Sequence, residues 1–176
     1  KAGLDLLNEL IEEKRSNPTD DFLSTLILAE EEGEKLSNWE MCALTGAVLA
    51  AGSDTAVDLH SYLIKALLSH PEQLEELKQD EELIQNAISE TLRYESSGKT
   101  GLARYVSEDM ELLGVEVKKG QMIQLITSTA GLDPNTYDDP DTFDIHRNHD
   151  KSISFGQGPH YCIGAVSYTH LRAHET

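Results

Sequence analysis

Cys162 is one of only two cysteines in the chain, and its neighbours give it a chemical setting. It lies in Ser154-Phe155-Gly156-Gln157-Gly158-Pro159-His160-Tyr161-Cys162-Ile163-Gly164-Ala165, with an aromatic residue seven positions before it and a histidine two before it. Glycine tolerates positive φ and lets a backbone approach a flat ligand closely. A loop built this way can curl its N–H groups toward the Cys162 sulfur. Such donors, with the start of a following helix, favour thiolate over thiol. A thiolate so held suits a soft or borderline metal, haem iron among them. A lone cysteine in a loop is more often buried and inert. The company of Phe155, Gly156, Gly158, His160 and Gly164 argues against that here.

Other residues with chemical potential lie upstream. Ala50-Ala51-Gly52 removes side-chain bulk over a full helical turn, so something large and flat could lie against that backbone, and Asp54-Thr55 follows directly. An alcohol beside an acid can deliver protons in a dry pocket, where the helix is locally distorted. The plain alternative is a close helix crossing with a solvated aspartate. Glu90 and Arg93 are three apart and share a helix face; such a pair is either a surface contact or a buried structural pair. His146, His149, His160 and Cys162 also make a passable zinc set, with His-x-x-His and His-x-Cys spacings. Zinc leaves Asp54-Thr55, Glu90/Arg93, Phe155 and the loop glycines unexplained. Two further motifs fail. Gly98-Lys99-Thr100 lacks the first glycine and the preceding strand of a phosphate loop. The acidic run Asp133 to Asp144 lacks the glycine and glutamate of a calcium-binding EF-hand.

These residues need elements to position them. Leu4, Leu7, Leu10 and Ile11 repeat at helical spacing until Asn17-Pro18. Asp20 or Asp21 can cap a second helix with Phe22, Leu23, Leu26 and Ile27 on its apolar face, followed by a solvated turn over Glu30 to Lys35. Ser37-Asn38-Trp39-Glu40 reads as a capping box. From there nothing ends the helix before Ser69, and Pro71 opens the next. A helix of about 30 residues runs roughly 45 Å. Pro71 to Gln79 and Glu81 to Tyr94 read as two more helices, the second with Leu83, Ile84, Ala87, Ile88 and Leu92 inward. Arg104 to Val106, Met110 to Leu112, Val115 to Val117 and Met122 to Ile126 are β-prone, with turns at Gly114 and Lys119-Gly120. The fold class read from this pattern is mainly α with a small β-sheet.

The chain of 176 residues is one domain's worth. It carries 32 acidic against 14 basic residues, a net charge of −18, which argues against nucleic acid and anionic membrane as partners. From Lys151 onward only Glu175 is acidic, and His146, Arg147, His149 and His160 lie nearby, so the surroundings of Cys162 are the least negative region. Two cysteines are no disulfide framework and point to a reducing, cytoplasmic setting. No signal peptide or membrane span is visible.

The loop over Phe155 to Gly164 fits Phe-Gly-x-Gly-x-His-x-Cys-x-Gly at every fixed position, and so resembles the haem-ligand loop of the cytochrome P-450 superfamily, the haem-thiolate monooxygenases. The resemblance extends to Ala51-Gly52-Ser53-Asp54-Thr55, to Glu90-x-x-Arg93 and to Phe143-Asp144-Ile145-His146-Arg147. It implies Cys162 as the proximal ligand of haem b, with Phe155 packed on the sulfur and Gly156 and Gly164 shaping the loop. His160 and Arg104 would pair with haem propionates. Ala51 and Gly52 would line the distal side, Thr55 would hold water beside dioxygen, and Asp54 would relay protons. Glu90, Arg93 and Arg147 would form a buried triad holding the loop, and Lys99 to Ala103 would line the substrate pocket. The implied activity inserts one oxygen atom of O₂ into a small lipophilic substrate. Its electrons come from NAD(P)H through a ferredoxin or flavoprotein reductase docking near Cys162, in the soluble bacterial manner. The resemblance covers residues 1–165, roughly the later half of the family fold. Residues 166–176 lack the apolar spacing of the helix the family has there and read as a foreign or disordered tail. The chain is thus expected to be a fragment, to leave apolar faces uncovered, to bind haem poorly alone and to be inactive by itself.

Overall fold

The computed structural model describes residues 2–28, 30–31, 34–96 and 101–166. Gly33, Lys99 and Thr100, and the tail from residue 167, lie outside the described residues. The chain forms two compact units whose boundary falls within one long helix, between Asp54 and Thr55.

In the first unit, α1 (Ala2–Ser16) and α2 (Phe22–Leu28) precede the start of α3 (Asn38–Ser69). Of the two possible caps for α2, Asp21 serves: its Oδ1 accepts from the Ser24 N–H at 2.8 Å. The bond from the Lys14 ammonium, foremost, holds the Asp21 carboxyl well below the usual range. Where a solvated turn was expected, β1 (Glu30–Glu31) and β2 (Glu34–Lys35) form a two-rung antiparallel pair. The capping box forms as spelled. Glu40 N–H donates to Ser37 Oγ at 3.3 Å, while Ser37 N–H and Oγ–H both donate to the Glu40 carboxylate, lowering its pKa. Ile11, Met41 and Cys42 make this unit's core, with Leu7, Leu23, Ile27 and Leu36 packed on it. Leu44, Val48 and Leu49 stand exposed on its stretch of α3, as expected of an uncovered apolar face.

The second unit contains the rest of α3, where Val57, Ile64 and Leu68 are likewise exposed. Next come α4 (Pro71–Gln79), a 3₁₀ turn over Glu81–Leu83 and α5 (Ile84–Tyr94). Asp80 starts that turn by accepting from the Glu82 N–H. The leucine and isoleucine spacing drives one side of α5 into a core of Ala66, Leu67, Leu77, Ala87, Phe143 and Ile145. The strands form not one sheet but separate two-stranded ladders. β3 (Leu102–Tyr105) pairs antiparallel with β6 (Met122–Leu125), Arg104 opposite Ile123. β4 (Met110–Leu112) pairs with β5 (Val115–Val117) through Leu113-Gly114, both at positive φ, the backbone that a tight two-residue hairpin demands. A 3₁₀ segment (Thr127–Leu132) then leads into an irregular meander and the Cys162 loop. Among the described residues no helix is long and apolar enough to cross a membrane.

Candidate functional site

The second unit is built around a single carboxylate. Glu90 is 0 % exposed on α5, and Arg93, one turn on, is buried with it. The Arg93 guanidinium grips Glu90 from two nitrogens, Nε to Oε2 and Nη2 to Oε1, each at 2.7 Å. Its other hydrogens reach the carbonyls of Gly131 (2.6 Å), Pro140 (2.7 Å) and Thr142 (3.0 Å). Arg147 adds a third member, Nε donating to Glu90 Oε1 at 3.2 Å and its other nitrogens to the carbonyls of Asp138, Asp139 and Thr142. The Asp144 N–H also donates to Glu90 Oε1. Sequence proximity brought Glu90 to Arg93; the meander brings Arg147 to both.

Amide side chains pin the same meander from the helices. Gln73 donates to the Phe143 carbonyl and accepts from the Ile145 N–H, closing both ends of its amide. Asn86 donates to the carbonyls of Ile145 and, at 3.0 Å, Arg147. Gly131 is required by contact: a Cβ there would lie 2.5 Å from the Arg93 carbonyl oxygen. Nothing in the local sequence marked Gln73, Asn86 or Gly131, because their partners are remote along the chain. Tyr137 is buried beside Arg93, its ring 5.4 Å from the guanidinium carbon, and burial pushes its phenol pKa up.

From the hub the chain enters the Cys162 loop. Gly156 and Gly158 adopt φ of +73° and +75°, and a Cβ at Gly158 would meet nothing within 4 Å. The Cys162 N–H donates to the Phe155 carbonyl at 2.9 Å, Gly156 to Ile153, Tyr161 to Gly158, and Ala165 to Cys162. These four N–H groups each have a carbonyl acceptor, which sets the path of the loop around Cys162. The Phe155 ring meets Tyr161 edge-on, centroids 6.4 Å apart. The Cys162 thiol is half-buried. Pro159 and His160 form a short 3₁₀ turn, His160 outermost and exposed, and Gly164 closes the turn before Ala165.

The remaining candidates are dispersed. Ala51, Gly52 and Asp54 are exposed on α3, Thr55 is half-buried, and the space at a Gly52 Cβ is open. The helix is α over its whole described length; the Ser53 hydroxyl back-bonds to the Leu49 carbonyl at 2.6 Å, as Ser61 does to Val57 and Ser69 to Lys65, each at 2.8 Å. Arg104 is exposed on β3, donating to its neighbour's carbonyl, Ala103. The zinc set does not assemble. His146 bonds Glu76 at 2.8 Å, His149 lies against Glu90, and His160 faces solvent. Among the described residues no three His, Cys, Asp or Glu side chains gather closely enough to hold a metal ion.

This arrangement has close relatives. The chain is 40% identical over 172 residues to epothilone C/D epoxidase of Sorangium cellulosum, covering 97% of this chain and 41% of the relative. It is 37% identical over 160 residues to a vitamin D(3) 25-hydroxylase of Pseudonocardia autotrophica, covering 90% and 40%. Among solved structures it superposes on cytochrome CYP109E1 of Bacillus megaterium in complex with testosterone, with a TM-score of 0.89 and 34% identity, covering 96% of this chain and 46% of that one. It thus spans about two fifths of the length of the curated relatives it matches. The sequence profile described as Cytochrome P450 matches residues 1–166. With the Cys162 loop, the Glu90–Arg93–Arg147 hub and this profile all falling in one chain, the protein belongs to the cytochrome P450 family.

Proposed function

We propose that this chain is the haem-ligating part of a haem-thiolate monooxygenase. The observation that carries the reading is Cys162. It is the sole thiol of an open glycine loop whose approach is anchored to the buried Glu90 hub. A metal held by one protein thiolate, with no neighbouring ligand side chain, needs its other ligands from a prosthetic group, as a porphyrin provides. The residues present therefore fit haem b. Cys162 would ligate the iron. Phe155, Gly156 and Gly164 would shape the contact, His160 and Arg104 would meet the propionates, and Ala51 and Gly52 would leave room for the ring. Glu90, Arg93 and Arg147 fix the backbone from which the loop departs and touch no reacting atom. Thr55 Oγ1 would hold a water and the Asp54 carboxyl would pass it protons.

Haem, when bound, supplies the iron that activates O₂. In the net reaction, one oxygen atom enters a C–H or C=C bond of a small lipophilic substrate and the other leaves as water, with two electrons and two protons consumed. The electrons would come from NAD(P)H through a ferredoxin or flavoprotein, docking on the less acidic surroundings of Cys162, in the cytoplasm. Residues 1–165 would belong to this one family domain and 166–176 would lie outside it. The test is a chimera in which this chain replaces the matching stretch of the epothilone epoxidase. Reduced and exposed to CO, it should show the red-shifted Soret band of thiolate-ligated haem, and Cys162→Ser should lose it. A chimera that folds and binds haem without that band overturns the reading.

A further inference from the structure

Near the hub, His149 is a nearly buried side chain whose two ring nitrogens both lack a hydrogen-bond partner among the described residues. Its side chain is 10% exposed, and Nε2 lies 3.7 Å from Glu90 Oε2. That oxygen has capacity to spare. Glu90 Oε1 accepts from Arg93, Arg147 and Asp144, whereas among the described residues Oε2 accepts only from Arg93 Nε. A neutral imidazole must donate from one nitrogen, and a buried donor without an acceptor is costly. The acceptor facing it is Oε2.

We propose that His149 is the fourth arm of the Glu90 hub: its Nε2–H closes on Glu90 Oε2 and locks the turn from which the Cys162 loop departs. The connection is traceable bond by bond. The His149 carbonyl accepts from the Ser152 N–H at 2.9 Å. Ser152 Oγ accepts from the Ser154 N–H and meets Ser154 Oγ at 3.0 Å. Ser154 leads into Phe155, whose carbonyl receives the Cys162 N–H. His149 also walls a cleft with Ser89, Ser152, Ser154, Phe155 and Tyr161, so ring and loop share a boundary. Four charged groups face the ring: Glu90 and Arg93 from α5, and Arg147 and Asp144 from the meander. Burial, helped by the two guanidiniums and opposed by the two carboxylates, holds its pKa below the ordinary histidine value, so the donor is the neutral ring. His149 is a positioning residue and touches no reacting group. The inference stands on the Glu90 carboxylate and does not require the haem reading.

The experiment uses the 176-residue chain without haem. Nitrogen-15 NMR of the His149 ring should show the Nε2–H tautomer at neutral pH. In His149→Phe, which fills the volume without a donor, amide exchange at Ser152 and Cys162 should accelerate about five- to tenfold, the loss of one net hydrogen bond. His149→Gln, which restores a donor at similar reach, should return both amides to within about twofold. An Nδ1–H tautomer, unchanged exchange in His149→Phe, or no rescue by glutamine would each overturn the proposal. If His149→Phe does not fold, the tautomer in the unaltered chain decides alone.

Discussion

Arg93→Lys isolates what the hub demands, because it keeps the charge and removes the fork. Arg93 makes five bonds: two to the Glu90 carboxylate and one each to the carbonyls of Gly131, Pro140 and Thr142. A lysine offers three hydrogens on one nitrogen, so at least two of the five acceptor contacts must fail. Among the described residues the Gly131 and Pro140 carbonyls accept from no other donor, whereas Thr142 keeps Arg147. An acceptor left unsatisfied inside costs about 1–3 kcal/mol, and these two are partly buried, so the loss should be about 2–4 kcal/mol. Arg93→Ala goes further, leaving the Glu90 carboxylate at zero exposure with a single guanidinium, at about 3–5 kcal/mol. Either loss is a large share of a typical domain's 5–15 kcal/mol, roughly. Lys78→Ala is the control: its partner Glu75 lies in an exposed pair, of about 0–1 kcal/mol. Urea unfolding should be followed by hydrogen exchange of α5 peptides, because the only tryptophan, Trp39, sits in the first unit. At a slope of about 1–3 kcal/mol per molar, Arg93→Lys should move the midpoint by roughly 1–2 M. If Arg93→Lys stays within the shift of Lys78→Ala, the fork is not what holds the meander and the hub argument fails.

Four further outcomes follow from the same geometry. Gly131→Ala should destabilise the second unit, since its Cβ would lie 2.5 Å from the Arg93 carbonyl and 3.1 Å from Arg93 Cγ; a normal urea midpoint would contradict this. Gly52→Ala meets nothing within 4 Å and should stabilise α3 by about 0.5–1 kcal/mol, yet lower the haem content of the chimera if the bare backbone there is haem space; an unchanged haem-to-protein ratio would count against Gly52. Thr55→Ala in the chimera should keep haem but divert electrons from product to hydrogen peroxide, and undiminished coupling would remove Thr55 from the proton path. His149 is neutral in the folded chain with a pKa below 6.5, so the unfolded chain binds more protons as the pH falls past 6.5. Stability should therefore drop on acidification, by at most about 1.4 kcal/mol per pH unit from this group, until the folded-state value is passed. His149→Phe should flatten that part of the profile measured by urea midpoints, and an identical slope would refute the assignment.

Much of the helical framework was legible because its signals are local. The Ser37–Glu40 box, the proline at position 71 and the apolar spacing over Leu83 to Ile88 each act within a turn or two, and each appears where it was read. Asp20 and Asp21 were indistinguishable from spacing alone; only the Ser24 N–H decides between them. The strands were found but their partners were not, since pairing β3 with β6 depends on a register that no single strand encodes. The hub was half-legible. Glu90 and Arg93 announce themselves at helical spacing, while His149 carries no sign that it belongs to Glu90 rather than to a metal. The Cys162 loop was read by its residue types, yet its committed N–H groups follow from the path of the backbone, which composition does not give.

The irregularity of the meander has a cause in charge balance. Glu90 carries one negative charge and faces two guanidiniums, Arg93 and Arg147, in a site almost closed to solvent. One carboxylate cannot satisfy ten guanidinium hydrogens. Six of the other seven go to backbone carbonyls: Gly131, Pro140 and Thr142 for Arg93, and Asp138, Asp139 and Thr142 for Arg147. Carbonyls aimed at side chains in this way are drawn from regular ladders, so residues 133–142 stay irregular while they serve the two arginines. Asp139, at φ +44°, shows the backbone bending to present its oxygen. The stretch is therefore closely determined: beside local turn bonds such as Tyr137 N–H to the Asp133 carbonyl, its carbonyls are held by Arg93 and Arg147. That is why a segment without periodicity can fix where the Cys162 loop begins.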